Sequence, residues 1–241
     1  MADQKLESQS VEELADEVLF GARVLLRELN DIFGHVSGRL PTGAGREGLL
    51  FARMRIAPKP LDPDEVMELD LSCRRVKGSQ HVSGETFIHT AIYKARPNVG
   101  GVVHAHPFYT VVLSATGRKL QTFNPSSVSF RNGVPFFRSN QINSENDGRE
   151  VAEALDQGKA IILRNHGAVT VGRNVAEAVV MMYYLERTAY AHLIAGKDLE
   201  PWEPDSTYLT LTDESYKFLW RTWQWEVENG GPMARWQKRS G

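Results

Sequence analysis

Three histidines in this chain stand where two short apolar stretches end. His104 and His106 close the run 101–106, which is rich in β-branched residues and typical of a buried strand. Because alternate residues of a strand face the same side, both imidazoles can converge on one point. A second apolar stretch, 160–165, ends at His166. Three neutral imidazoles at neighbouring strand ends would bind a divalent cation and leave its other positions open for water or substrate.

The alternative is that these histidines are structural, two of them stabilising a strand and one lying in a loop. We assign that structural role to His81, His89 and His192. The pair at 104 and 106 differs, because two imidazoles facing the same way from a buried strand are costly unless something binds them. The spacing favours a metal site, and both interpretations stand at this point.

The elements that must position these residues follow from the apolar periodicity. Ser10 and Glu13 form a capping box, and the apolar residues after it recur at helical spacing, which predicts an amphipathic helix over residues 10–30. The predicted strands cover residues 36–40, 49–56, 67–72, 101–106, 134–138, 160–165 and 168–171. The other predicted helices cover residues 85–95 with Ser83 as N-cap, 108–116, 145–157, a long stretch that Asn174 opens, and 213–228.

This order of elements predicts an α/β or α+β layered fold, with a central, mainly antiparallel or mixed sheet covered by helices on both sides. The chain has 241 residues and no Pro/Gly/Ser-rich linker, repeat or low-complexity tract, so we expect a single domain over residues 1–241. Residues 200–241 form an aromatic-rich C-terminal extension that holds all five tryptophans. We expect its helix to cover a neighbouring surface, within the subunit or between subunits.

Composition excludes several classes of function. The net charge is −2, and acids and bases are mixed along the chain, so no basic stripe is available for a nucleic-acid backbone. The first ten residues are polar, and no run approaches the roughly 20 apolar residues that span a bilayer, so we expect neither a signal peptide nor a membrane anchor. The single cysteine, Cys73, excludes an internal disulfide and predicts a cytoplasmic protein.

Three motifs occur in order with appropriate gaps. They are Ser83-Gly84-Glu85, Val102-Val103-His104-Ala105-His106-Pro107 and Arg164-Asn165-His166-Gly167-Ala168. Together they resemble the class II aldolase/adducin family, which includes aldolases of L-fuculose phosphate and L-ribulose phosphate. The resemblance covers residues 10–196, which would form an aldolase/adducin-like core.

The resemblance implies that His104, His106 and His166 are metal ligands and that Glu85 is the catalytic acid/base. A glutamate at a helix start beside a metal can ligate the ion and move a proton when substrate displaces it. The alternative for Glu85 is a first-turn acid that interacts with the helix dipole. The family also implies one divalent metal ion per subunit, with zinc expected and manganese, iron or cobalt possible.

The family further implies a homo-oligomer, a tetramer, with sites at subunit boundaries. Tyr208 and the Trp-rich tail are the candidates for reaching a neighbouring site. A small anionic substrate is expected, and neither nucleic acid nor a membrane is expected as a binding partner.

The substrate-binding positions depart from the family pattern. The phosphate-binding aldolases typically show Gly-Asn after the first helix, then Thr-Gly, then Ser-Ser before the glutamate. The matching stretches here are Gly34-His35, Arg53-Met54-Arg55 and Ser83-Gly84. Arginine binds carboxylate as well as phosphate, so we still expect an anionic group; the alternative for both arginines is a solvated strand face. The substrate-binding candidates are His35, Arg53, Arg55, Ser83 and Gly84.

The resemblance therefore implies a metal-dependent carbon–carbon lyase. The missing sugar-phosphate residues, the arginines and the aromatic-rich chain favour a decarboxylase of a hydroxylated aromatic carboxylic acid, acting through a metal-stabilised enolate- or phenolate-type carbanion. The alternative is a class II aldolase for a hydroxy-ketone, hydroxy-acid or sugar-phosphate substrate. Two minor alternatives are a non-catalytic adducin-like module and an iron-dependent oxygenase.

Overall fold

A computed structural model describes residues 9–54, 65–79, 81–137, 141–205 and 214–231. Arg55, Tyr208 and the proline-rich stretch 58–63 lie outside these ranges. The strands of the described residues are β1 (His35–Arg39), β2 (Leu49–Arg53), β3 (Val66–Leu69), β4 (Arg75–Lys77), β5 (Gly101–Ala105), β6 (Phe136–Phe137), β7 (Ala160–Leu163) and β8 (Gly167–Gly172). They form one sheet in the order β4-β3-β2-β1-β5-β8-β7-β6.

The sheet is mixed but mainly antiparallel. Each neighbouring pair from β4 through to β7 is antiparallel. Only the edge pair of β6 and β7 is parallel among the described strands. This pairing confirms the predicted sheet type.

Helices cover both faces of the sheet, as predicted. They are α1 (Val11–Leu29), α2 (Thr86–Ala95), α3 (Phe108–Thr116), α4 (Glu145–Leu155), α5 (Val175–Ala195) and α6 (Tyr216–Glu228), with short 3-10 helices at Thr42–Ala44 and Pro125–Phe130. Buried side chains of α1, α3, α5 and α6 share one apolar cluster with the sheet, and those of α2 and α4 share another. None of the described helices combines the length and the apolar character that crossing a membrane requires.

The sequence signals at helix starts are confirmed for α1 and α5. The Ser10 side chain accepts a hydrogen bond from the Glu13 amide, and Glu13 returns one, so the predicted capping box is present. Helix α3 has its predicted bounds. Asn174 is the N-cap of α5 and accepts from the Glu177 amide.

Several predicted ends were wrong, each for a local reason. The strand predicted over 67–72 ends at Leu69, because the Asp70 carboxylate accepts from the amides of Ser72 and Arg74 and closes a turn. The helix predicted to reach residue 157 ends at Leu155, where Asp156 takes a φ of 47°. Ser83 is not the N-cap of α2: that position is Glu85, whose side chain makes no cap hydrogen bond.

Strand β5 lies near the middle of the sheet, between β1 and β8. Its odd-numbered residues Val103 and Ala105 join the apolar cluster of α1 and α5, while Val102 joins the cluster of α2 and α4. Since strand side chains alternate, His104 faces the same side as Val102, toward α2. The histidine end of β5 thus meets the start of α2.

Candidate metal centre

Four side chains from three separate segments converge at the end of β5. Glu85, His104, His106 and His166 each place one potential ligand atom within 4.8 Å of the others. Glu85 stands at the start of α2 and His166 in the turn between β7 and β8. His104 lies near the end of β5, and His106 follows directly after that strand. The structure therefore brings together the residues that the sequence singled out.

The imidazole of His104 is held so that one nitrogen faces this cluster. Its Nδ1 lies 3.0 Å from the carbonyl oxygen of Ala168, to which it donates. Its Nε2 is buried and has no hydrogen-bond partner among the described residues, lying 3.6 Å from Glu85 Oε1. Burial lowers the pKa of His104, so the imidazole is neutral. A buried imidazole lone pair without a donor is what a metal ligand requires.

Asp31, which was not among the predicted site residues, fixes the second imidazole. Its carboxylate accepts from the His106 amide at 2.7 Å and from His106 Nδ1 at 3.2 Å. It also accepts from the amides of Phe33 at 2.9 Å and Gly34 at 3.3 Å. A carboxylate on the outer nitrogen of a histidine orients the ring and raises its basicity. An acid just after a helix is so common in turns that nothing in the sequence marked Asp31.

Hydrogen bonding keeps Asp31 ionised. Burial favours its neutral form, but the bonds from the His106 side chain and from the backbone of His106 and Phe33 outweigh burial and lower its pKa to about 2. For His106 the balance is reversed, since burial lowers the pKa and the Asp31 carboxylate raises it by more.

Glu85 is the common neighbour of the imidazoles. Its Oε1 lies 3.1 Å from His166 Nε2, and its Oε2 lies 3.3 Å from His35 Nε2. Burial alone would raise its pKa, but the surrounding imidazoles of His104, His166 and His35 hold the pKa well below its usual range. Glu85 is therefore an anion, so the cluster offers three imidazoles and one carboxylate, a donor set that fits a divalent transition metal.

The five predicted substrate-binding residues have different surroundings. His35 is buried and contacts Glu85 through Nε2 and His89 through Nδ1, so it lies behind Glu85. Arg53 lies opposite His35 in the backbone register of β1 and β2, and it is partly exposed. Arg55 lies outside the described residues. These substrate roles stay predictions.

The Ser83-Gly84 segment has a steric reason for its departure from the Ser-Ser pattern. A Cβ added at Gly84 would lie 2.8 Å from both the Cα and the Oδ1 of Asn143. The close approach of residue 143 therefore excludes a side chain at position 84 unless that segment shifts. Ser83 Oγ is buried without a hydrogen-bond partner in the described part of the chain.

The sequence of this chain is similar to the sequences of several known proteins. A family model described as "Class II Aldolase and Adducin N-terminal domain" matches residues 23–193. A decarboxylase, NovR of Streptomyces niveus, is 30% identical over 177 residues, which cover 68% of this chain and 63% of the relative. A "4-hydroxy-3-prenylphenylpyruvate oxygenase/4-hydroxy-3-prenylbenzoate synthase" of Streptomyces roseochromogenus is 32% identical over 145 residues, which cover 56% of this chain and 50% of the relative.

An L-fuculose phosphate aldolase of Methanococcus maripaludis is 30% identical over 134 residues, which cover 56% of this chain and 72% of the relative. The chain thus spans only half to two thirds of the length of the two Streptomyces relatives. The solved structure of L-fuculose 1-phosphate aldolase from Glaciozyma antarctica has a TM-score of 0.72 at 22% identity, covering 93% of this chain and 97% of that one. The likeness to this structure shows that the two chains share a fold.

Proposed function

The chain belongs to the class II aldolase and adducin N-terminal domain family, and from that premise we propose that it is a divalent-metal-dependent carbon–carbon lyase. His104, His106, His166 and Glu85 would hold the metal. The observation that carries this proposal is the convergence of these four side chains, with the buried Nε2 of His104 directed into the cluster. We expect zinc, with manganese, iron and cobalt as alternatives.

The favoured reaction is decarboxylation of a hydroxylated aromatic carboxylic acid. The relative NovR is named a decarboxylase. The sugar-phosphate pattern is missing here: His35 replaces the asparagine and is engaged with His89, and Gly84 leaves no room for the second serine. Phe33, which is 72% exposed, has its ring centroid 6.5 Å from that of His106, which provides an aromatic edge beside the cluster.

Glu85 would move the proton in this reaction. A bound divalent ion supplies Lewis acidity that stabilises the negative charge left when carbon dioxide departs. Glu85 accepts the proton of the substrate hydroxyl group, since its carboxyl group is ionised. The bond to the carboxylate then breaks with its electron pair remaining on the ring carbon, and Glu85 returns the proton to that carbon.

The second candidate is a class II aldolase acting on a hydroxy-ketone, hydroxy-acid or sugar phosphate. The Methanococcus relative favours it, being named an L-fuculose phosphate aldolase. The name of the Streptomyces roseochromogenus relative keeps an iron-dependent oxygenase open, and a non-catalytic adducin-like module is the remaining alternative.

We also propose a cytoplasmic homo-oligomer, a tetramer by family resemblance, whose substrate is small and anionic. Two large apolar side chains that are near Asp31 and His106 in the sequence are exposed. Phe33 is 72% exposed and Phe108 is 67% exposed. An apolar surface of this kind is usually covered by another protein surface. Light scattering of the purified chain would measure the oligomeric state.

Product analysis tests the reaction. The purified chain, loaded separately with Zn²⁺, Mn²⁺, Fe²⁺ or Co²⁺, is incubated with hydroxybenzoates, dihydroxyphthalate-like acids and L-fuculose phosphate. We expect carbon dioxide from an aromatic acid and its loss with chelator. Aldehyde release would establish the aldolase instead, and oxygen uptake with Fe²⁺ the oxygenase. If no product formed from any of these substrates with any of the four metals, the proposed lyase would be wrong.

A further inference from the structure

A buried row of hydrogen bonds leads away from Glu85 into the core. His35 Nε2 lies 3.3 Å from Glu85 Oε2, and His35 Nδ1 lies 2.8 Å from His89 Nε2. His89 Nδ1 lies 2.7 Å from Ser37 Oγ, which lies 2.9 Å from the hydroxyl group of Tyr93. His35, His89, Ser37 and Tyr93 are all almost fully buried. We call these four residues the buried chain.

The buried chain exists because a helix repeat matches a strand repeat. Glu85, His89 and Tyr93 are four residues apart along α2, so they lie on one helix face with a spacing of about 6 Å. His35 and Ser37 are two residues apart on β1, so they face the same side with a spacing of about 6.7 Å. Helix α2 crosses that face of the sheet, and each polar side chain of one element meets one of the other.

The far end of the buried chain is anchored. The Arg39 guanidinium lies 4.7 Å from the centroid of the Tyr93 ring and donates to the Tyr93 carbonyl oxygen at 2.7 Å. The same guanidinium donates to the carbonyl oxygens of Val99 at 2.8 Å and Arg96 at 3.0 Å. Burial also raises the pKa of Tyr93, so its phenol keeps its proton. Tyr93 therefore has a proton that it can donate to Ser37.

The protons of the buried chain can be placed by counting donors. The Glu85 carboxylate can only accept, so His35 donates through Nε2. His35 and His89 are almost fully buried, where a charged imidazole is costly, so each ring is taken as neutral with one N–H. His35 Nδ1 must then accept from His89 Nε2, and His89 Nδ1 must accept from the Ser37 hydroxyl. Ser37 in turn accepts from Tyr93, so every bond points toward Glu85.

We propose that the buried chain is a positioning device, which fixes the His35 proton on Nε2 and thereby holds the Glu85 carboxylate in the orientation that the metal and the substrate require. In this role the four residues act through Glu85. The proposal rests on the role of Glu85 in the proposed lyase. This role accounts for the burial of His35 and His89 in a row of hydrogen bonds that ends at the Glu85 carboxylate.

The tautomers of the two histidines test the arrangement directly. In ¹⁵N-labelled wild-type protein we expect both His35 and His89 to carry their proton on Nε2, with each signal assigned through a His→Gln variant. This measurement needs no substrate. A wild-type His35 with its proton on Nδ1, or with protons on both nitrogens, would overturn the proposal.

Removing one hydroxyl group tests the consequence. Ser37→Ala deprives His89 Nδ1 of its donor, so we expect a share of the His35 proton to move to Nδ1. We expect zinc affinity, measured by competition with a chromophoric chelator, to fall roughly two- to tenfold. At saturating zinc, kcat should fall by a similar factor while KM stays unchanged.

The matched control is Thr188→Val. It also removes a buried hydroxyl group, one that donates to the Tyr184 carbonyl oxygen within α5. Equal zinc affinity and equal kcat in Ser37→Ala and Thr188→Val would overturn the proposal.

A second pair of variants repeats the test at the anchored end. Tyr93→Phe breaks the last bond of the buried chain, and Tyr216→Phe removes another buried phenol, which bonds Asn174. We expect Tyr93→Phe to change zinc affinity and kcat in the same direction as Ser37→Ala, and Tyr216→Phe to change neither. If the wild-type protein turned over none of the acids tested, the proposed reaction would be wrong. The tautomers and the zinc affinities would still decide whether the buried chain has a positioning role.

Discussion

The Asp31 carboxylate accepts hydrogen bonds from both the amide and the Nδ1 of His106, at 2.7 and 3.2 Å. This pairing fixes the ring so that Nε2 points toward Glu85 and the other imidazoles. A residue 75 positions earlier in the chain thus sets the orientation of one candidate metal ligand.

We predict that Asp31→Asn weakens metal binding roughly 10- to 100-fold, because the outer carboxylate orients the ligand and raises its basicity. The measurement is the apparent zinc dissociation constant at neutral pH. The control is Asp70→Asn, which alters an exposed turn next to β3. An Asp31 variant that bound zinc as tightly as the Asp70 variant would contradict the prediction.

Asp31 should also make stability depend on acid pH. Its pKa falls from 3.8 in the unfolded chain to about 2 in the fold, so its stabilisation is complete above pH 3.8 and is lost as pH falls through about 2. The shift corresponds to about 2 kcal/mol in the free energy of unfolding.

Urea unfolding of metal-free protein, between about pH 5 and about pH 2, checks this dependence. The wild type should lose about 2 kcal/mol more than Asp31→Asn over that interval. Parallel pH curves for the two proteins would show that Asp31 is not the group responsible.

Glu85→Gln should retain the metal but lower kcat at least about 100-fold, since the amide cannot take up or return a proton. Metal content and turnover are measured on the same sample. Glu145→Gln is the control, because that exposed glutamate also lies at a helix start and pairs with Lys94. Full turnover in Glu85→Gln would remove the residue from its proposed role.

Gly84→Ala should destabilise the protein by about 1–3 kcal/mol, because its Cβ would lie 2.8 Å from the Cα and Oδ1 of Asn143. Gly43→Ala is the matched control, since a Cβ there has no described atom within 4 Å. Urea unfolding of both variants measures the difference. Equal stability would mean that residue 143 yields readily, and that the missing serine has no steric cause.

Local patterns predicted much of this fold. Helical periodicity and the capping box at Ser10 and Glu13 located α1, and alternation along the run 101–106 predicted that His104 and His106 converge. These signals are contained in short segments, so one sequence is enough to read them. The apolar stretch 160–165 pointed to His166. The family motifs added Glu85, which no local periodicity connects to the three histidines.

The contacts that complete the site could not be predicted in the same way. Asp31 and Ser37 reach their partners across long stretches of chain. His89 was assigned a structural role, and its hydrogen-bonded connection to Glu85 runs through His35 on another element. Such contacts depend on how α2 crosses the sheet, which apolar patterning leaves undetermined. The turn at Asp70 was missed for the opposite reason: a side chain accepting backbone hydrogen bonds ended the strand before its apolar pattern did.

Metal stoichiometry tests the central claim most directly. Elemental analysis of the purified chain and of His106→Ala, after identical dialysis, should find about one divalent metal ion per wild-type subunit. His106→Ala should hold none and have no turnover, while His81→Ala, which removes an exposed histidine, should match the wild type. Metal-free wild-type protein that turns over substrate as fast as the metal-loaded protein, or His106→Ala with a full complement of metal, would contradict the account.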